Sequence, residues 1–387
     1  MKILIFDYEY PPVGGGGGIV NALIAEELAC RHAVTVITSA YDALPRREMR
    51  GGVEVVRVPV IGRTDKSVAS LPSMLSYPPA AWLAAARLLR GRRFDVINSH
   101  FAVPTGPGSL PVARLSRTPH VISIHGGDIY DPSKRISPHR SAALRAVVAA
   151  VLRGSDRVVA QSSNTRDNVY RYYRYRGPID IVPLGIRQPE VAPATRRQLG
   201  LPEDEFLAVT VGRLVPRKAI GTLLDALALP GGAQVHLVVL GAGPELGALE
   251  RHAATRGLSE RVRFLGWVDE PRKWQILRVA DAYLSATMHE GFGLVYLEAM
   301  ASGLPVITPN HGGQVDFLRD GETGFLVPPG DAERLAAAIG RLRADPALAA
   351  RMRETNLALA PAHRIEHCAA AYERLLDATA GAHGARS

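Results

Sequence analysis

The chain has little cysteine, no long apolar run and no internal repeat. Its 387 residues include two cysteines, Cys30 and Cys368, and no Cys-x-x-Cys pair, which argues against a disulfide framework or a zinc site. No apolar stretch reaches the ~18 residues of a membrane-spanning helix. The opening MKILIFDYEYPP is too short in apolar residues for a secretory signal. The sequence therefore predicts a globular, cytoplasmic protein.

Positive charge is concentrated in the first half of the chain. Residues 1–190 hold 25 lysines and arginines against 15 acidic residues, while the formal net charge of the whole chain is +9. Such a field attracts anionic lipid, nucleic acid or an acidic substrate, or it is simply an arginine-rich surface. RYYRYR at 171–176 suits a single-stranded nucleic-acid groove or a membrane surface. With RLLRGRR at 87–93, it leads us to expect peripheral contact with an anionic membrane.

Hydrophobic periodicity predicts two α/β halves. Short apolar runs alternate with longer helical stretches, first in KILIFDY, VTVITS, VEVVRVP, FDVINSH and HVISIHG, and again in FLAVTVGRL, HLVVLGAG, VRFLGWV and PVITP. Continuous apolar strands indicate parallel sheets covered on both faces. We expect Rossmann-like domains over residues 1–184 and 185–360. Residues 361–387 are expected to form a helix, which packs back on the first domain or on the second, and a flexible tail.

Glycine is abundant directly after the first predicted strand. Ligands in open α/β sheets bind beyond the carboxyl ends of the strands, and here PPVGGGGG precedes a helix. Amides of such a loop can approach a phosphate closely, and the helix N-terminus attracts it. The G-x-G-x-x-G pattern of dinucleotide enzymes fails, because Ile19 and Val20 occupy the positions of the third glycine.

Basic residues and glycines follow the strands of the second half. In VGRLVPRKA, Arg213 and Lys218 lie beyond a strand, where two cations can neutralise a diphosphate. In VVLGAGPE, Gly241 and Gly243 permit close approach of the backbone. An ordinary solvated helix start and an ordinary turn are the alternative interpretations.

Two carboxylates occur in the segment MHEGFGLVYLEAMASGLPVI. On one continuous helix, Glu290 and Glu298 would not share a face. If HEGFG is a loop and LVYLEAMASG a helix, Glu290 precedes the helix and Glu298 lies in its second turn. The free amides of the first turn then favour a phosphate between them. This layout suits a nucleotide-sugar, with sugar hydroxyls at one carboxylate and ribose hydroxyls at the other.

In order and spacing, these segments resemble a retaining GT-B glycosyltransferase of family four. The resemblance covers nearly the whole chain and rests on the glycine loop, HGGD, VPLGI, GRLVPRK, the E-x7-E segment, GLPVI and GETGFLVPPGD. It implies an α/β fold of two Rossmann-like domains whose parallel sheets face each other across a deep cleft. Residues 1–184 would form the acceptor-side domain, and residues 185–360 would bind the nucleotide-sugar. One departure is Ala219, since the family usually has glycine after the lysine.

The resemblance also implies roles for individual residues. Arg213 and Lys218 would hold the donor diphosphate, Glu290 would bind sugar hydroxyls, and Glu298 would bind the ribose. His125 would face the reacting carbon, with Asp128 nearby. The nucleobase would stack near LGWV, unless its tryptophan, Trp267, belongs to the core. Backbone contacts with the donor are implied for Gly15, Gly16, Gly17, Gly243, Gly291, Phe292, Gly293, Leu294 and Val295.

The resemblance further implies chemistry without a metal or another cofactor, and no Asp-x-Asp triplet is present. The expected donor is a UDP-sugar, with GDP-mannose as the alternative, and the expected acceptor is a sugar or a lipid-linked sugar. No nucleic-acid partner is expected, and membrane contact would be at the inner face of the cytoplasmic membrane. A sugar-nucleotide 2-epimerase of the same fold is the competing interpretation.

Overall fold

The computed structural model describes residues 1–66, 69–134 and 136–384. For residues 383 and 384 it describes only the backbone. The chain divides into two units. Unit 1 comprises Met1–Gly185 and the C-terminal segment from Ile365, and unit 2 comprises Ile186–Arg364.

The strands of unit 1 form one eight-stranded sheet of order β3-β4-β2-β1-β5-β6-β7-β8. These strands are β1 Lys2–Asp7, β2 Ala33–Ser39, β3 Arg47–Arg50, β4 Val53–Val58, β5 Val96–His100, β6 His120–Ile124, β7 Arg157–Ala160 and β8 Asp180–Ile181. The helices are α1 Gly16–Ala29, α2 Leu71–Leu89, α3 Gly106–Ser116, α4 Ala142–Gly154 and α5 Ser163–Tyr172. The C-terminal segment adds one more helix to this unit.

Unit 2 contains a six-stranded sheet of order β11-β10-β9-β12-β13-β14. Its strands are β9 Phe206–Val211, β10 Val235–Leu240, β11 Val262–Gly266, β12 Ala282–Leu284, β13 Val306–Pro309 and β14 Gly324–Val327. Its helices are α6 Ile220–Ala228, α7 Leu246–Thr255, α8 Glu270–Val279, α9 Leu294–Ala301, α10 Ala332–Ala344 and α11 Pro346–Leu359. The helix that the C-terminal segment adds to unit 1 is α12, Ile365–Gly384.

The order of both sheets defines where ligands are expected. All pairings in the unit 2 sheet are parallel, and counting from β9 the order is the doubly wound 3-2-1-4-5-6. The order in which successive strands are added to the sheet reverses between β9 and β12, so a crevice opens beyond the carboxyl ends of these two strands. In unit 1 the corresponding reversal lies between β1 and β5.

One strand of unit 1 departs from the predicted parallel pattern. β3 pairs antiparallel with β4 at the sheet edge, joined through Gly51 and Gly52, whose φ values are 54° and 78°. Two consecutive positive φ values suit a tight hairpin turn, and glycine adopts them without strain. The remaining strand pairs of this sheet are parallel.

Leucines hold the first helix of unit 2 against its sheet. Leu223, Leu224 and Leu227 of α6 are fully buried beside β9 residues such as Ala208, and each buried leucine contributes ~1.5–3 kcal/mol. This packing fixes the turn between β9 and α6 at the carboxyl edge of the sheet. In unit 1, α12 packs on α1, where Glu373 pairs with Arg31 at 2.6 Å.

The arginine–tyrosine segment 171–176 is divided between core and solvent. Tyr173 and Tyr175 are 2% and 9% exposed, and the Tyr173 hydroxyl donates to the carbonyl of Ile129. The ring of Tyr172 stacks on Tyr130 at 5.4 Å. Tyr173 and Tyr175 therefore pack in the core of unit 1, whereas the three arginines of the segment are exposed and Tyr172 is partly exposed. No helix in the described part of the chain meets the length and hydropathy of a membrane span.

Candidate active site

The loops after β9 and β12 bring two cations onto one carboxylate. Lys218, at the end of the 3-10 turn Pro216–Lys218, binds Glu290 Oε1 through its Nζ. Arg217 Nη1 lies 3.2 Å from Glu290 Oε2 and donates to the carbonyl of His289. These groups lie at the reversal between β9 and β12, where the doubly wound topology places ligands.

The charges at this position favour an anion. The side chains of Glu290, Lys218 and Arg217 are 12%, 14% and 21% exposed. Burial opposes ionisation of Glu290, but Arg217 and Lys218 outweigh it and lower its pKa to about 2. Burial lowers the pKa of Lys218, helped by the charges of Arg217 and Arg213 and opposed by Glu290. Because two cations contact one carboxylate, the group keeps an excess positive charge.

The backbone beside Lys218 is shaped to admit its side chain. A Cβ on Gly212 would lie 3.0 Å from Lys218 Cε, so glycine leaves the path of the lysine open. Ala219 has φ 48° and ψ 41°, in the left-handed region that costs a non-glycine residue roughly 1–2 kcal/mol. Glycine, which the family resemblance leads us to expect at this position, would adopt this conformation without strain, whereas here an alanine occupies it.

The segment after β12 is a loop followed by a helix, as the sequence predicts. Glu290 precedes α9 and Glu298 lies in its second turn. The N-cap is Gly293 with φ 97°, no described side chain caps the helix, and no acidic residue lies in its first turn. The first-turn amides, which include those of Leu294 and Val295, therefore attract an anion next to Arg217 and Lys218.

The loop 290–293 is held by close backbone packing. The amide of Gly313 donates to the carbonyl of Glu290 at 2.9 Å, and a Cβ on Gly313 would lie 2.0 Å from the carbonyl oxygen of Gly291. Phe292 is 3% exposed and its ring packs on Phe317 at 5.0 Å. The side chain of Phe292 thus anchors the loop, and only the backbone of Phe292 remains for contact with a ligand.

Glu298 is paired inside unit 2. Its Oε1 lies 2.8 Å from Nζ of Lys273, which also contacts Glu270 at 2.9 Å. Glu298 Oε2 is buried and accepts no hydrogen bond from the described residues. Burial raises the pKa of Glu298 despite the opposing charge of Lys273. One oxygen is therefore oriented by lysine, and the other retains unused capacity to accept from a hydroxyl.

The loop after β10 is closely packed, whereas the loop after β11 exposes its tryptophan. A Cβ on Gly243 would lie 2.2 Å from the carbonyl oxygen of Leu214, and one on Gly241 would lie 1.9 Å from that of Gly212. Close packing against the β9 loop thus accounts for both glycines, whatever ligand they contact. Trp267, after β11, is 77% exposed, so the interpretation of this residue as core was wrong.

In unit 1 the glycine loop and His125 meet through Phe101. The amide of Gly15 donates to Glu9 Oε2 at 3.1 Å, and α1 begins at the next residue, Gly16. A Cβ on Gly17 would lie 3.0 Å from Phe101 Cζ, and the Phe101 ring lies 4.5 Å from that of His125. The carboxyl ends of β1, β5 and β6 thus share one cluster.

His125 is held neutral and in a defined orientation. Its Nε2 lies 3.0 Å from Nδ1 of His100, and burial lowers the pKa of His125 to about 3. Asp128 accepts the backbone amides of His125 at 2.8 Å and Ala102 at 2.6 Å. At neutral pH, His125 can therefore serve as a hydrogen-bonding group but not as a cation.

Some residues of these clusters were not predicted. Arg217 adjoins Lys218 in VPRK, and a second basic residue there was a usable signal. Lys273 and His100 follow no pattern that distinguishes them from surface and core residues. Across the described residues, no group of three His, Cys, Asp or Glu side chains is placed to hold a metal.

Known proteins share both the sequence and the fold. Residues 191–357 match glycosyl transferases group 1, and residues 14–188 match glycosyltransferase family 4. The D-inositol 3-phosphate glycosyltransferase of Streptomyces avermitilis is 30% identical over 377 residues, covering 88% of this chain and 79% of that protein. The lipopolysaccharide core biosynthesis glycosyltransferase LpsE of Rhizobium meliloti is 41% identical over 165 residues, 42% of this chain and 47% of that protein.

Solved structures of other proteins have the same fold as this chain. Sucrose-phosphate synthase from Thermosynechococcus elongatus matches with a TM-score of 0.84 and 25% identity, over 99% of this chain and 100% of that one. Anabaena HepE in complex with UDP-glucose matches with a TM-score of 0.75 and 22% identity, over 98% and 100%. The predicted fold class is confirmed. The chain belongs to the glycosyl transferases group 1 family and is a glycosyltransferase with the GT-B fold.

Proposed function

We propose that the enzyme moves a hexosyl or N-acetylhexosaminyl group, with retention of anomeric configuration, from a UDP-sugar to a sugar or lipid-linked acceptor in glycan or cell-envelope synthesis. The observation that carries this proposal is the contact of Lys218 and Arg217 with Glu290, beside the N-terminus of α9, which no described side chain caps. HepE, which was solved with UDP-glucose, supports a UDP-sugar, and GDP-mannose is the alternative donor.

In this proposal, Arg217, Lys218 and the first-turn amides of α9 bind the diphosphate of the donor. Charge grows on the leaving diphosphate as the bond to the sugar breaks, and fixed cations and amides stabilise that charge more than they stabilise the bound donor. Arg213, close enough to lower the pKa of Lys218, adds to the same field. These groups supply the positive charge that a metal supplies elsewhere, so we propose that no metal is required.

Glu290 binds sugar hydroxyls in this proposal and is not the nucleophile. A carboxylate paired with two cations, with its pKa lowered to about 2, is weakly basic and therefore a weak nucleophile. The acceptor oxygen then attacks the anomeric carbon on the face from which the diphosphate departs. The proton of the acceptor hydroxyl passes to an oxygen of the departing diphosphate, so no protein base is needed to remove it.

The other end of the donor is assigned to Glu298 and Trp267. Oε2 of Glu298, which has no partner among the described residues, accepts from a ribose hydroxyl, while Lys273 holds the opposite oxygen at 2.8 Å. The exposed Trp267 ring offers a face for the nucleobase. His125, neutral in unit 1, is assigned to hydrogen bonding with the reacting sugar, and the amides of Gly15, Gly16 and Gly17 are assigned to donor phosphate.

We also propose peripheral contact with an anionic membrane through α2. Its residues Leu71, Leu75 and Leu83 are 54%, 68% and 48% exposed, and Trp82 is 37% exposed. The arginines of 87–93 follow at the C-terminal end of the helix. Apolar side chains with adjacent arginines suit the interface of a membrane that carries negative lipid. Co-sedimentation with phosphatidylglycerol vesicles tests this, and equal binding by a Leu71→Ser, Leu75→Ser variant contradicts it.

The donor is tested by a thermal-shift screen of UDP-, GDP- and ADP-sugars, since a ligand that binds the folded state raises the apparent melting temperature. Incubation with UDP-GlcNAc alone separates the transferase from a 2-epimerase of the same fold. A transferase gives at most slow hydrolysis, and accumulation of the 2-epimer contradicts the proposal.

A further inference from the structure

Arg63 of unit 1 is held at the carboxyl edge of the sheet with one edge of its guanidinium unused. Its Nη1 donates to Ser39 Oγ at 2.9 Å, at the end of β2. Its Cζ lies 4.7 Å from the centre of the Tyr8 ring, just after β1. Arg63 Nε and Nη2 are buried and find no hydrogen-bond acceptor within the described ranges.

The two unused donors are neighbours with a defined shape. Nε–H and Nη2–H lie on the same edge of a guanidinium and point in parallel, which matches two oxygens of an oxyanion. Buried donors in native proteins are almost always satisfied, and a fixed positive charge with two parallel donors favours an anionic acceptor over a carbonyl. The contacts with Ser39 and Tyr8 hold this edge in place.

The position of Arg63 links it to the cluster in unit 1. The carbonyl of Lys66, in the same loop, accepts the amide of Gly14 at 2.9 Å, so the loop is attached to the glycine loop. On its other side, the amide of Ile61 donates to Ser76 of α2 at 2.9 Å, and Ile61 is 70% exposed. The loop that carries Arg63 is thus attached to the glycine loop at one end and to α2 at the other.

We propose that Arg63 binds a phosphate group of the acceptor through Nε and Nη2. This inference rests on the proposed function in assuming an acceptor substrate, but the phosphate site itself follows from the geometry of Arg63. The phosphate belongs to a soluble sugar phosphate or to a lipid headgroup, and the chemistry at Arg63 is the same for both.

Calorimetric titration of inorganic phosphate into the UDP-saturated enzyme tests the site, because UDP occupies the competing cationic group around Lys218. Arg63→Gln is expected to weaken phosphate binding about tenfold or more, and Arg63→Lys, which keeps the charge but loses the paired donors, to weaken it by less. The matched control Arg153→Gln removes an exposed arginine at the end of α4 and is expected to bind phosphate like the wild type.

Phosphate binding that is absent in the wild type, or equal in Arg63→Gln and the wild type, overturns the proposal, as does tighter binding of acetate than of phosphate. If Arg63→Gln does not fold, equal affinity of Arg63→Lys and the wild type overturns it. Titration of UDP into the wild-type enzyme tests the proposed function separately. If the wild type binds phosphate but not UDP, the result contradicts the proposed function and not the phosphate site.

Vesicles of equal parts phosphatidylcholine and phosphatidic acid distinguish the two sources of phosphate. When Arg63→Gln loses affinity for inorganic phosphate, a parallel loss of vesicle binding assigns the phosphate to a lipid. Retained vesicle binding in the same variant assigns it to a soluble acceptor. Both results support a phosphate site at Arg63.

Discussion

Replacing Glu290 by glutamine should destabilise unit 2 by an amount that depends on pH. The carboxylate has a pKa of about 2 in the folded protein, against 4.5 for an unperturbed glutamate. Because one pKa unit corresponds to about 1.4 kcal/mol, ionised Glu290 contributes roughly 3 kcal/mol of stability at neutral pH. The variant keeps the shape of the side chain but leaves Arg217 and Lys218 without their counter-charge.

The sign of the pH dependence follows from the lowered pKa. The contribution is fully present above pH 4.5 and is lost as the pH falls through about 2, because protonated Glu290 no longer neutralises the two cations. At pH 3 the difference between wild type and variant should therefore shrink to roughly 1.4 kcal/mol.

Urea unfolding followed by tryptophan fluorescence measures this difference, with the buried Trp274 of α8 as the reporter of unit 2. Glu260→Gln, at an exposed position of the same unit, is the control and should change the unfolding free energy by less than about 0.5 kcal/mol. The reasoning is refuted if Glu290→Gln and wild type have the same unfolding free energy at pH 7. It is also refuted if their difference in unfolding free energy is as large at pH 3 as at pH 7.

Other predictions concern neighbouring groups. Because burial raises the pKa of Glu298, Glu298→Gln should be at least as stable as wild type at pH 7 in thermal melts, yet bind UDP about tenfold more weakly in calorimetry. Equal UDP affinity would contradict the assignment to ribose. Gly243→Ala should lower the melting temperature, since its Cβ would lie 2.2 Å from the Leu214 carbonyl; an unchanged temperature contradicts this. The pKa of His125 near 3 predicts a neutral ring at pH 5 by NMR, and a titration near 6.5 would contradict it. Since unfolded His125 takes up a proton below about pH 6.5 and the folded ring does not, its burial reduces stability as the pH falls.

The sequence predicted local structure best where a residue type has a specific structural role. Glycines after strands, and carboxylates at either side of a helix start, predicted the loop and helix that carry Glu290 and Glu298, and the structure has both elements. The alternation of apolar strands and helices predicted two parallel sheets, because parallel strands are buried on both faces. Fold class and enzyme class were accordingly both within reach of the sequence.

Tertiary contacts explain what could not be predicted. β3, with the sequence REMR, carries no apolar alternation and is formed by its turn and its pairing with β4. Lys273 gains its role from packing of α8 beside α9, which brings it to Glu298. The burial of Tyr173 and Tyr175 depends on the folding of 171–176 over the core of unit 1, a placement that composition alone cannot reveal.

The central claim is that Arg217 and Lys218 hold the diphosphate of the donor. Calorimetric titration of UDP into wild type, Arg217→Gln and Lys218→Gln tests it most directly, with Arg251→Gln as an exposed control in α7. The account predicts that both site variants bind UDP about tenfold or more weakly than wild type, since each loses a charge-assisted hydrogen bond, while the control is unchanged. Wild-type affinity in either site variant would contradict it.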